Sequence, residues 1–163
     1  METHQLTGTK QVTLALTRLA DVDLSGVQHK VSRLGWSKSL IERVETEYLR
    51  FLALAGSGTM TVTPPPMIDE YWHAHILHTR QYASDCDYVF GRFVHHAPLA
   101  GADAGSEGVT DSSAQTLSVY RRVFGEPDPY IWDIMAQDCN SPSECYGGGG
   151  GGGGCLGGPT GDD

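Results

Sequence analysis

The chain has 163 residues and a mass of 17.6 kDa, which allows one ordinary domain or one small domain with a tail. Acidic residues number 20 against 11 lysines and arginines, and the resulting charge of −9 argues against nucleic acid as a partner. No stretch reaches the roughly eighteen apolar residues of a membrane span, and the N-terminus lacks a signal-peptide pattern. These properties exclude large two-domain enzymes and predict a cytoplasmic protein without a membrane partner.

Apolar residues at helical spacing predict a succession of helices in the first third of the chain. The first two are expected over residues 9–21 and 24–34, and Gly35 offers a stop. Ser37 is suited to cap the next helix, which is expected to end at about Gly56. The side of that helix opposite its apolar face is expected to be exposed, and its charged residues are Glu42, Arg43, Glu45, Glu47 and Arg50.

A run of three prolines marks the start of the longest predicted helix. Residues 63–66 read Thr-Pro-Pro-Pro, which predicts a stiff lead-in to a helix over 67–90. A surface loop is expected over 98–109. A further helix over 111–124 and a short apolar closing segment from Tyr130 complete the predicted elements.

These elements predict an all-α fold, a compact antiparallel bundle of about five helices with the 67–90 helix at its centre. We expect the domain to cover residues 1–138. Residues 139–163 contain eight consecutive glycines, and they are expected to be a disordered tail rich in Gly and Cys because polyglycine buries no apolar surface. Cys86, the one cysteine outside the tail, is interpreted as a small core residue in preference to a nucleophile.

Five of the seven histidines fall within one stretch of 24 residues: His73, His75, His78, His95 and His96. On a helix, Asp69 and His73 are four residues apart and share a face, whereas His75 points away from His73. A histidine of the 95–96 pair could fold back toward them. The sequence therefore predicts a site of one carboxylate and two histidines, built from Asp69, His73 and either His95 or His96. Such a set suits iron(II) or zinc with open coordination positions.

Two alternatives stay open at this stage. His75 and His78, three residues apart, could instead form a ligand set with a histidine of the 95–96 pair. A carboxylate at Asp69 is also explained by its place in the first turn of a helix, in which case the histidines and tryptophans form a structural hydrogen-bond network. The first interpretation is a metal-binding protein, with its status as an enzyme and its substrate left open. The second is a non-catalytic interaction module with an unidentified small-molecule or protein partner.

A nucleotide cofactor is not expected, because the glycine run lacks the Lys-Ser/Thr ending of a phosphate-binding loop. Residues 69–82, which read DEYWHAHILHTRQY, are followed by Cys86 and by the sequence HHAP at 95–98. This combination resembles the central motif of the glycine-rich-domain-containing-protein-like family, and the resemblance covers roughly residues 12–135. The resemblance implies a helical domain and no settled reaction.

Overall fold

Seven helices and no strand form the part of the chain that the computed structural model describes, which comprises residues 2–58, 61–96 and 106–132. The helices are α1 (Glu2–Leu19), α2 (Ser25–Ser32), α3 (Lys38–Ser57), α4 (Pro66–Ile76), α5 (Thr79–Phe90), α6 (Ser106–Phe124) and α7 (Pro129–Trp132). The all-α prediction is confirmed. The predicted tail, the domain boundary at residue 138 and residues 98–105 of the predicted loop lie outside the described residues. The loop prediction is wrong for residues 106–109, because α6 begins at Ser106, five residues before the predicted start at 111.

Local signals account for several helix ends. Ser37 caps α3, because its side chain accepts a hydrogen bond from the Leu40 backbone N–H. The C-terminal cap of α3 is Gly58, which has the positive φ of 68° that glycine tolerates best. Helix α1 starts well before the predicted residue 9, since the apolar pattern on which that prediction depends begins only at Val12.

The helix predicted over 67–90 is wrong in one respect, because it is two helices separated at Leu77 and His78. The last turn of α4 tightens, with the His78 backbone N–H bonded to the His75 carbonyl three residues earlier. The His78 side chain donates from Nδ1 to the Ala74 carbonyl at 2.9 Å and so occupies an acceptor of that last turn. No glycine or proline marks this break, which is why the sequence pattern gave no sign of it.

Two helices share the centre of the bundle. Helix α3 packs against α1, α2, α4 and α6, while α4 packs against α2, α3, α5 and α7. The bulkiest fully buried side chains belong mainly to these helices and their neighbours, and they include Tyr48, Phe51, Ile68, Tyr71, Tyr82 and Tyr120. The centre expected at residues 67–90 is therefore formed by the first half of that range together with α3. Within the described ranges, no helix is both long enough and apolar enough to cross a bilayer.

Glu47 contradicts the expectation that the charged face of α3 is exposed. Its side chain is buried, and its carboxylate accepts hydrogen bonds from the Trp132 indole N–H at 2.7 Å and from the Tyr120 hydroxyl. Arg50, one turn further along, lies 3.3 Å from the same carboxylate. Because Trp132 and Tyr120 belong to α7 and α6, Glu47 is the polar anchor that joins both C-terminal helices to α3.

Candidate metal centre

Helix α4 presents Asp69 and His73 on one side, as their spacing predicts. Pro66 opens the helix, where a missing backbone N–H costs no hydrogen bond, and Asp69 lies in the first turn. One turn later, His73 Nδ1 lies 3.5 Å from Asp69 Oδ2. His73 is about half exposed, since 48% of its side chain is accessible, so its ring has room to rotate.

His96 completes the group from the segment that follows α5, which has no regular secondary structure. Its Nε2 atom donates to Asp69 Oδ1 at 2.6 Å. Its ring lies against two residues of α4, with centroid distances of 4.5 Å to His73 and 4.6 Å to Trp72. The His96 ring therefore packs between the half-exposed His73 and the buried Trp72.

Asp69, His73 and His96 together form the one group of three or more potential metal ligands in the described part of the chain. One ligand atom from each residue lies within 4.8 Å of the others. This arrangement brings together one carboxylate and two imidazoles, the donor set that the sequence predicts. Of the adjacent histidines His95 and His96, the group includes only His96, a choice that the sequence left open.

His95 and His75, the other two ligand candidates, are not part of this group. His95 is exposed, and its ring lies tilted against that of Phe93 with a centroid distance of 4.8 Å. His75 is only 1% exposed and lies on the opposite side of α4. The structure thus places His75 as the helical geometry predicts, away from His73.

The two ring nitrogens of His75 have protein partners. Tyr48 Oη lies 2.8 Å from Nδ1, and Asp85 Oδ2 lies 3.0 Å from Nε2. The contacts are mutually satisfied when Tyr48 donates to Nδ1 and Nε2 donates to the Asp85 carboxylate. Burial lowers the pKa of His75, with Asp85 acting in the opposite direction. His75 is therefore a core histidine whose neutral form burial favours, and the alternative ligand set of His75 with His78 is not assembled in this arrangement.

Cys86 has the environment of an unreactive thiol. It is buried in α5, and burial raises its pKa, although the neighbouring Val94 backbone and Tyr82 hydroxyl act in the opposite direction. Nucleophilic cysteines need the opposite shift, toward the thiolate. The interpretation of Cys86 as a core residue agrees with this environment.

A set of buried hydrogen bonds next to the candidate site was not predicted from the sequence. The Trp72 indole N–H donates to Tyr82 Oη at 2.9 Å, and Tyr82 Oη donates to the Val94 carbonyl at 2.7 Å. No sequence signal could have found these contacts, because they depend on how α5 folds back against α4 after the break at His78. From the sequence alone, Trp72 and Tyr82 can be interpreted only as packing residues.

Comparison with known proteins identifies a family. The model of the UCP032817-like family matches residues 24–113, which is more than half of the chain. No curated protein and no solved structure is detectably similar to it. The family description names no reaction.

The resemblance to the glycine-rich-domain-containing-protein-like family is therefore wrong. The match covers Asp69, His73 and His96 but stops well before the glycine run, so the histidine motif and the glycine-rich composition are separate features. The chain belongs to the UCP032817-like family.

Proposed function

We propose that the protein binds one divalent transition-metal ion, iron(II) or zinc, through Asp69, His73 and His96. The observation that carries this proposal is the convergence of one ligand atom from each residue to within 4.8 Å. Asp69 and His73 come from one helix and His96 from a segment 23 residues further along the chain than His73, so their meeting is a product of the tertiary fold.

The distances fit an ion after small side-chain movements. Metal–nitrogen and metal–oxygen bonds of about 2.0–2.2 Å place two ligands of one ion about 3–4 Å apart. The closest pair, His96 and Asp69, must open from its 2.6 Å hydrogen bond, and His96 must carry its hydrogen on Nδ1, reached by exchange with solvent, so that Nε2 is free to bind the ion. His73 must approach, and its exposed ring can do so by rotation.

Three protein ligands leave coordination positions open on the exposed side of the site. An ion held in this way can bind a water or substrate oxygen, with iron suited to oxidative chemistry and zinc to hydrolysis. The side chains of this site hold the ion, and Asp69 balances part of its charge. The cytoplasmic location stays a prediction.

A second candidate function has one observation in its favour. The 2.6 Å hydrogen bond between His96 and Asp69 joins the segment after α5 to α4 without an ion. If that were its whole purpose, the cluster would be a structural network in an interaction module, comparable to Tyr48, His75 and Asp85 in the core.

The two candidates differ in metal content and in metal-dependent stability. Elemental analysis of protein purified without a histidine tag should show about one iron or zinc per chain. Adding the ion to metal-free protein at about 100 times its dissociation constant should stabilise the fold by about 2.7 kcal/mol, because an ion that binds only the native state raises its stability.

Asp69→Asn and Asp85→Asn form a matched pair for this experiment. Each removes a carboxylate that bonds a histidine, but only Asp69 belongs to the proposed ligand set. Asp69→Asn should abolish the metal-dependent rise in melting temperature, and Asp85→Asn should retain it. Metal-free wild-type protein that gains no stability from iron(II) or zinc would favour the structural network.

A further inference from the structure

A chain of buried hydrogen bonds connects α4, α5 and the segment that carries His96. Trp72 on α4 donates to Tyr82 on α5 at 2.9 Å, and Tyr82 donates to the Val94 carbonyl at 2.7 Å. All three residues are at most 4% exposed, so water does not compete for these contacts. None of the three contributes a ligand atom to the proposed site.

Val94 is held by a buried hydrogen bond just before His96. Its carbonyl accepts from the Tyr82 hydroxyl, and its side chain is only 4% exposed. Residues 93–96 have no helix or strand of their own, so no regular ladder of backbone bonds fixes their path. The position of the His96 backbone therefore depends on where Val94 is held, only two residues earlier.

We infer that Tyr82 is a positioning residue for His96, holding the Val94 peptide so that the imidazole reaches Asp69 and His73. Trp72 supports it in two ways: its N–H fixes the Tyr82 hydroxyl, and its ring packs 4.6 Å from the His96 ring. This inference rests on the proposed function, since it concerns the affinity of that same site.

Tyr82→Phe removes one oxygen atom and tests the inference directly. The substitution breaks both hydrogen bonds of the hydroxyl and releases the Val94 carbonyl. Groups that orient metal ligands typically change metal affinity by about 10–100-fold when removed. We expect Tyr82→Phe to weaken cobalt(II) binding by at least about tenfold, measured at 15 °C by titration of metal-free protein with its visible absorption as the signal.

Tyr48→Phe is the matched control. It also removes a fully buried hydroxyl, but that hydroxyl bonds His75, on the other side of α4. Both variants should lower the melting temperature of the metal-free protein, whereas only Tyr82→Phe should weaken cobalt(II) binding and change its absorption spectrum. Equal affinities in the two variants, whether both unchanged or both weakened, would overturn the positioning role.

Asp69→Asn separates this inference from the proposed function. If Asp69→Asn abolishes cobalt(II) binding while Tyr82→Phe binds the ion as tightly as wild type does, the metal site stands and the positioning role is wrong. If Asp69→Asn itself binds cobalt(II) as tightly as wild type does, the proposed metal site is wrong. Should Tyr82→Phe fail to fold, Trp72→Phe removes the N–H that fixes the Tyr82 hydroxyl and keeps an aromatic ring at that position. Weakening by more than roughly threefold would support the inference, and unchanged affinity would contradict it.

Discussion

Glu47→Ala removes the carboxylate that joins α6 and α7 to α3. The side chain is 4% exposed, and the substitution leaves two buried donors without their acceptor, the Trp132 indole N–H and the Tyr120 hydroxyl. Arg50 also loses its nearest carboxylate, but about a third of its side chain is exposed, so solvent replaces most of that interaction.

The expected loss follows from these contacts. Leaving a buried donor unsatisfied costs about 1–3 kcal/mol, so the two donors together account for about 4 kcal/mol. The exposed Arg50 adds little to this value. Folded domains of this size are stable by about 5–15 kcal/mol, so the variant should melt on the order of 10 °C lower and lose a large part of its stability.

Urea denaturation followed by tryptophan fluorescence measures this loss. Glu42→Ala is the control, because Glu42 lies on the same helix and both partners of its ion pair with Lys38 are exposed. That variant should change the free energy of unfolding by less than about 0.5 kcal/mol. If Glu47→Ala lies within about 1 kcal/mol of Glu42→Ala, the account of Glu47 as a buried anchor is refuted.

Three further substitutions or treatments have defined outcomes. Gly56→Ala would place a methyl carbon 2.1 Å from the Phe90 ring, so urea denaturation should show a loss of about 1–3 kcal/mol, and a gain of the kind expected for alanine in an open helix would contradict the packing. Cys86 should react with a thiol reagent only after denaturation, tested in a variant that carries serine at the other three cysteines; rapid labelling of the native protein would contradict its burial. Because burial lowers the folded-state pKa of His75, the unfolded chain takes up a proton first as pH falls below about 6.5, and stability should fall from that pH downward. His75→Gln should flatten this slope of unfolding free energy against pH, and an unchanged slope would show that His75 does not resist protonation.

Much of the fold follows from local signals in the sequence. The apolar spacing that predicts α2 and α3, the cap at Ser37 and the stop near Gly58 are all short-range features, so they can be interpreted without tertiary contacts. The proline run before α4 is of the same kind. The break at His78 is different. It depends on the His78 side chain, which hydrogen-bonds to the Ala74 carbonyl, and the sequence there contains no glycine or proline.

One part of the candidate site can likewise be predicted from local sequence, and another part depends on tertiary contacts. The face shared by Asp69 and His73 follows from helical periodicity alone. The choice between His95 and His96 does not, because it depends on where Val94 is held by Tyr82. The burial of Glu47 is equally invisible in the sequence, since its partners come from helices about 70 residues or more further along the chain.

His96→Ala and His95→Ala together provide the most direct test of the proposed metal centre. The two residues are adjacent, but His96 bonds Asp69 whereas His95 is exposed and contacts the Phe93 ring. The measurement is iron or zinc content per chain, after each variant is loaded with the ion and passed through a desalting column. We predict about one ion per chain for wild type and for His95→Ala, and a loss of most of the ion for His96→Ala. Equal metal content in the two variants, or a loss confined to His95→Ala, would contradict the assignment of Asp69, His73 and His96 as the ligands.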